Sequence, residues 1–141
     1  VTGTDDGCII AVDELAAGKI DFNFTNEAGD ISELYVLRPN GDVVAEVENV
    51  TTGVTRTLTV DLVAGDYELA CKPGQVGDGF TTGFVVTGEG GTAQAAPDRE
   101  IHFSSVDFTY QDLDLSGITA GNTIRFEMVN NGGQPHEVRG A

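Results

Sequence analysis

Ile20, Phe22 and Phe24 fall on every second position of the stretch Ala17 to Leu37, AGKIDFNFTNEAGDISELYVL, which gives one strand an apolar face. A turn-forming run, Asn26 to Asp30, follows, and a second strand begins at Glu33. The same pattern returns about a hundred residues later in Ala120 to Val138, AGNTIRFEMVNNGGQPHEV. There Ile124, Phe126 and Met128 alternate, Asn130 ends the strand, and Glu137 opens the next. The step from Asn26 to Glu33 equals the step from Asn130 to Glu137. An echo of this kind predicts two copies of one structural unit. Two unrelated hairpins with turn residues where turns must fall are the alternative.

The rest of the chain reads as short strands and tight turns. Among 141 residues there are 19 glycines and no tryptophan, and only Val12 to Ala17 hints at a helical period. In order, strands are expected at Val1–Ile10, Lys19–Thr25, Glu33–Arg38, Val43–Val50, Val54–Leu62, Tyr67–Cys71 and Phe80–Thr87. Pro39-Asn-Gly-Asp42, Thr51-Thr-Gly53 and Ala64-Gly-Asp66 are the turns between them. The small, polar stretch Glu89 to Arg99 reads as a linker with nothing to bury. The expected organisation is therefore a β-sandwich over 1–88, a linker over 89–99, and the first half of a second sandwich over 100–141. A half sandwich exposes an unpaired edge and an open apolar face. It is completed by further chain, by a neighbouring subunit, or by packing on the first domain, and self-association through residues 100–141 is the second of these.

Charge and cysteine usage narrow the function classes. The 23 acidic and 7 basic residues give a net charge of −16, which disfavours nucleic acid and anionic membrane surfaces. No apolar run reaches the roughly 18 residues of a membrane-spanning helix, so no membrane insertion is expected. The chain starts at Val1 in strand-like sequence without a signal peptide, which predicts a processed mature product or a piece of a longer one. Two cysteines far apart in sequence fit an exported protein with one disulfide: periplasmic, cell-surface or extracellular. Asn23-Phe-Thr25 and Asn49-Val-Thr51 match the glycan acceptor pattern. No nucleophile–base–acid arrangement and no phosphate-cradling loop stands out, so the chain is not expected to be an enzyme.

Residues 1–88 resemble the cupredoxin-like domain at the N-terminus of EfeO-type periplasmic iron-uptake lipoproteins. The matching pieces are Asp6-Gly-Cys8, Ala17-Gly18 before a strand ending in Asn26, and Glu33-Leu-Tyr-Val-Leu37. Val44-Ala-Glu-Val-Glu-Asn49 and Leu62-Val-Ala-Gly-Asp-Tyr67 leading to Cys71 complete the set. Residues 101–141 resemble the first half of a second such domain. The resemblance implies an all-β, Greek-key sandwich of cupredoxin-like type with a second, incomplete unit. It also implies a copper or iron site whose ligands would be Cys8, Glu33, Glu48 and Cys71. The helical metal-binding domain of the full-length relatives has no counterpart in this sequence.

The chemistry of those residues leaves two readings open. Thiolate with carboxylate suits Cu(II), Zn(II) or Fe(III). Alternatively Cys8 and Cys71, each leaving a strand at one pole of the sandwich, are joined as a disulfide that stabilises by ~4 kcal/mol in the chain-entropy model. A bridged sulfur is a poor ligand, so the two exclude each other. A blue-copper centre needs two His, a Cys and usually a Met. The first unit has neither His nor Met, and Ser32 stands at the family's histidine position. In the second unit His136 and Glu137 stand at the position of a first ligand loop, as a candidate metal pair. His102 reads as structural or surface and Met128 as core. The function expected is an exported cupredoxin-like binding module for a transition metal. The alternative is a structural subunit of an extracellular or surface filament in which a neighbouring chain completes the second unit.

Overall fold

The structure is a computed structural model that describes residues 1–134, 136 and 138. Among the described residues there are twelve strands and one short 3-10 turn, Pro73–Gln75, and the chain falls into two compact units, Val1–Gln94 and Ala95–Ala141. The expected all-β class holds.

The first unit is a two-layer Greek-key sandwich. Its first sheet comprises β1 (Thr2–Thr4), β2 (Gly7–Ile9), β4 (Gly18–Asn26) and β7 (Thr55–Leu62), in the order β2-β1-β4-β7. Its second sheet comprises β3 (Glu14–Ala16), β5 (Ser32–Leu37), β6 (Val43–Val50), β8 (Gly65–Cys71) and β9 (Phe80–Thr87), in the order β3-β9-β8-β5-β6. After the β5–β6 hairpin the chain crosses to the first sheet as β7, then returns as β8 to pair with β5. That return beside the earlier strand, with a strand of the other layer between, is the Greek-key connection.

Period-two alternation builds the core. Phe22 and Phe24 face inward from β4, with Leu58, Val60 and Leu62 from β7. Leu34, Val36, Leu69, Phe84 and Val86 face them from the second sheet. Phe84 lies edge-on to Phe22 at 5.4 Å and stacks on Tyr67 at 5.6 Å. Tyr67 satisfies its hydroxyl by donating to the Val63 carbonyl at 3.0 Å.

Three local expectations change. Val1–Ile10 is not one strand but a hairpin, because Asp5 and Asp6 turn the chain and Thr4 donates to the Asp6 carboxylate at 2.9 Å. The hint of a helix over Val12 to Ala17 gives way to β3, which pairs in parallel with β9. Six residues are too few to nucleate a helix against an available sheet edge. The start of the supposed linker is held to the first unit. A Cβ on Gly91, whose φ is +75°, would lie 2.0 Å from the Leu62 carbonyl oxygen. Only glycine lets the backbone pass there.

The second unit is a three-stranded sheet of β10 (Arg99–Val106), β11 (Thr109–Gln111) and β12 (Ile124–Asn130), in the order β11-β10-β12. β10 is antiparallel to β11 and parallel to β12, the same relations that β1 has with β2 and β4. One face carries Ile101, Phe103, Phe126 and Met128, and Phe103 meets both Tyr110 and Phe126 edge-on. The other face is polar: Arg125 pairs with Glu100 at 2.8 Å and His102 with Glu127 at 3.0 Å.

Candidate functional site: the disulfide pole and the repeated asparagine turn

Cys8 and Cys71 are joined, with a Cα–Cα distance of 5.2 Å, and among the described residues no cysteine is free. Cys8 sits on β2 opposite Gly3, and Cys71 ends β8 opposite Leu34. The bridge therefore ties the edge of the first sheet to the middle of the second. Gly3 makes room for it: a Cβ there would lie 2.8 Å from the Phe24 ring and 3.4 Å from the Cys71 Cβ.

The four residues expected as metal ligands do not converge. Cys71 is opposite Leu34 in the ladder and shares its core-facing side. Glu33 belongs to an outward group with Tyr35, Lys72, Glu46 and Glu48. Adjacent strand residues point to opposite faces, so the disulfide and the carboxylates lie on opposite sides of the second sheet. Among the described residues no three His, Cys, Asp or Glu side chains are grouped to hold a metal.

Glu33 is only 7% exposed. Burial pushes its pKa above the usual 4.5, against the opposing hydrogen bond from Tyr35 and the charge of Lys72. Glu48 and Glu46 push it further in the same direction. The Tyr35 hydroxyl is itself driven upward, first by burial and then by the Glu33 charge. The Lys72 ammonium lies 4.2 Å from the centre of the Tyr35 ring.

The sequence echo is real at the level of single hydrogen bonds. Asn26 accepts from the Ala28 N–H at 2.9 Å and donates to the Asp30 carbonyl at 2.8 Å. Asn130 accepts from the Gly132 N–H at 2.9 Å and donates to the Gln134 carbonyl at 2.9 Å. The Gly29 N–H donates to Asp5 at 2.9 Å, and the Gly133 N–H to Asp107 at 2.9 Å. Glu27 N–H donates to the Gly3 carbonyl, and Asn131 N–H to the Ser105 carbonyl. The pairs Gly3 with Asn26 and Ser105 with Asn130 are in the same register. Asp5 and Asp107 were not singled out from the sequence. Carrying the echo upstream, from Asp5-Asp-Gly-Cys8 to Asp107-Phe-Thr-Tyr110, is the signal that finds them.

By this equivalence Ser32 corresponds to His136. Ser32 is buried and its hydroxyl has no hydrogen-bond partner. The His136 Nδ1 lies 2.6 Å from the Gln134 carbonyl. Its expected companion Glu137 lies outside the described residues. Of the glycan acceptor positions, Asn23 is exposed but accepts from the Thr57 hydroxyl at 2.7 Å. Asn49 is exposed at φ +57° and accepts from Gln75 at 3.2 Å. His102 is a surface residue, as expected, and Met128 is half-buried on the apolar face.

The repeat differs at one edge. β4 is flanked by β1 and, along Gly18–Thr25, by antiparallel β7. β12 is flanked by β10 and ends its sheet among the described residues. Phe126 is 48% exposed and Val129 56%.

No family model matches the chain. No curated protein matches it. Among solved structures it is similar to one titled "Crystal structure of multicopper oxidase", with 14% identity and a TM-score of 0.41. The match covers 86% of this chain and 52% of that one, so the chain spans about half the length of that structure. Among the described residues no helix is long and apolar enough to cross a membrane.

Proposed function

We propose that this chain is an exported, non-enzymatic module of cupredoxin-like sandwich architecture, serving as a building block of an extracellular or cell-surface assembly. A neighbouring chain supplies the strand beside β12. The carrying observation is the repeat: β11-β10-β12 has the strand order and pairing senses of β2-β1-β4, and among the described residues β12 has no second neighbour where β4 pairs with β7. An open edge with exposed apolar side chains is a template for another strand. The Cys8–Cys71 bridge supports an oxidising compartment. Sedimentation velocity of the 141-residue chain over a range of concentrations and salt tests the reading. Self-association that strengthens with salt is expected, because the net charge of −16 opposes contact between copies. A monomer at every concentration and salt rejects it.

A transition-metal role is the second reading, favoured by His136 standing at the Ser32 position with Asp107 beside the same turn. Calorimetric titration with Cu(II), Zn(II) and Fe(III), before and after reduction, tests it. Heat with the oxidised protein supports a site at the second unit, heat only after reduction supports cysteine ligation, and no heat in either state rejects both.

A further inference from the structure

We infer that the stretch Ala93 to Ala96 is an endoproteolytic cleavage site, cut by an endopeptidase whose specificity pocket takes small side chains; the inference is independent of the assembly reading. The segment is bounded on both sides. Before it, the close approach of Gly91 to the Leu62 carbonyl fixes the chain to the first unit. After it, Asp98 donates its N–H to the Thr123 carbonyl at 2.8 Å, and its carboxylate accepts from the Thr123 N–H at 2.8 Å. Between these anchors Thr92 to Pro97 belong to no strand or turn, and none of them is hydrogen-bonded to another described residue. Thr92 to Ala96 are all exposed.

A protease cleft takes its substrate as an added extended strand, through main-chain hydrogen bonds, so it needs a run whose own N–H and C=O groups are unengaged. Ladder residues meet that need only after the sheet opens, and cleavage is then slowed by the small open fraction. Thr92 to Ala96 meet it in the folded chain. The side chains set the class of enzyme. Thr92-Ala-Gln-Ala-Ala96 presents alanines to a small pocket of the elastase kind, and no Lys or Arg lies between Lys72 and Arg99 for a trypsin-like one. Water adds across one peptide bond, leaving a new carboxylate on Ala93 or Ala95 and a new amine on Gln94 or Ala96. The Ala96–Pro97 bond is spared, because the proline nitrogen carries no proton and its ring crowds the bond. Rival loops fit less well. Gly77 and Gly79 hold left-handed conformations that break an extended run, and Asp13 gives its carbonyl to the Val85 N–H. The 112–122 loop is tied by the Ser116 N–H to Asp114 and the Thr119 N–H to Asn122. Cys8 and Cys71 both precede the site, so one cut severs the chain and leaves the bridge inside the first unit.

Timed digestion of the native 141-residue chain with pancreatic elastase, read by intact-mass spectrometry without reduction, tests this. The first pair of products is expected to end at Ala93 or Ala95 and to begin at Gln94 or Ala96. The N-terminal product, with its bridge, is expected to outlast the full chain at least about tenfold, because its remaining bonds lie in ladders or tied loops. Trypsin is expected to leave residues 73–98 whole. A first elastase cut within 76–79 or 11–13, or no cut, overturns the assignment. Gln94→Pro with Ala96→Pro places a proline directly after both bonds, at positions whose N–H groups hold no described partner. This double variant is expected to slow the first cut at least about tenfold while its urea midpoint stays at the native value. Cutting within 93–96 at the native rate overturns the site. A shifted midpoint overturns the premise that the stretch is free of the folded units, and the site with it.

Discussion

Asn26 is a fully buried polar side chain with three partners: the Ala28 N–H, the Asp30 carbonyl and the Val50 carbonyl. Asn26→Ala strips the buried Val50 carbonyl of its donor and unties the turn. A loss of about 2–3 kcal/mol is expected by urea denaturation, since an unsatisfied buried polar group is expensive. Asn130 makes the matching turn at an exposed position, so Asn130→Ala is expected to cost less than about 1 kcal/mol. Glu33 gives a pH-dependent outcome. Its folded pKa is raised above 4.5 by burial, so the folded state favours the protonated form. The stability this group contributes is complete below its ordinary pKa and is lost as pH rises through the raised one. Glu33→Gln cannot ionise, so its stability relative to the native chain is expected to improve from pH 4.5 toward neutrality in urea melts across pH. Spacing alone made the Asn26 and Asn130 pairing legible. The company Glu33 keeps was not legible, because it depends on which strands flank β5 and in what register.

At the scale of elements, the strand-and-turn reading survives for β4 through β9 with ends shifted by a residue or two, because alternation and Gly- or Pro-bearing turns are local signals. The elements that changed, the β1–β2 hairpin and β3, are three residues each and owe their state to the strands beside them. The disulfide is what couples the elements most strongly. Replacing both Cys8 and Cys71 by Ser is expected to cost about 4 kcal/mol, less any strain relieved, for a bridge closing 63 residues of sequence. A thiol assay on unreduced protein is expected to find no reactive thiol, and urea melts of the double variant measure the loss. Sequence placed these two sulfurs together at one pole. It could not place Glu33 and Glu48 correctly relative to them, since one residue of register decides which face of a sheet a side chain occupies.

For the whole molecule, the repeat offers two sheets of the same strand order for comparison. In the first unit the apolar face of β4 is packed against a second sheet and its edge is taken by β7. In the second unit the corresponding strand ends the sheet among the described residues, and Phe126 and Val129 are about half exposed. A charge of −16 opposes contact between separate copies. The salt dependence expected of self-association belongs to this scale, because it arises from the summed field rather than from any one pair.

Alternation, turn chemistry and the internal echo were enough to determine an all-β chain with a repeated unit and a cysteine pair at one pole. These are properties of neighbours along the chain, and the period-two geometry of a strand carries them without help. The sidedness of Glu33 and the shared roles of Asp5 and Asp107 were decided only in three dimensions. Each depends on which strand lies beside which, and strand order and register are set by long-range packing that no local pattern encodes.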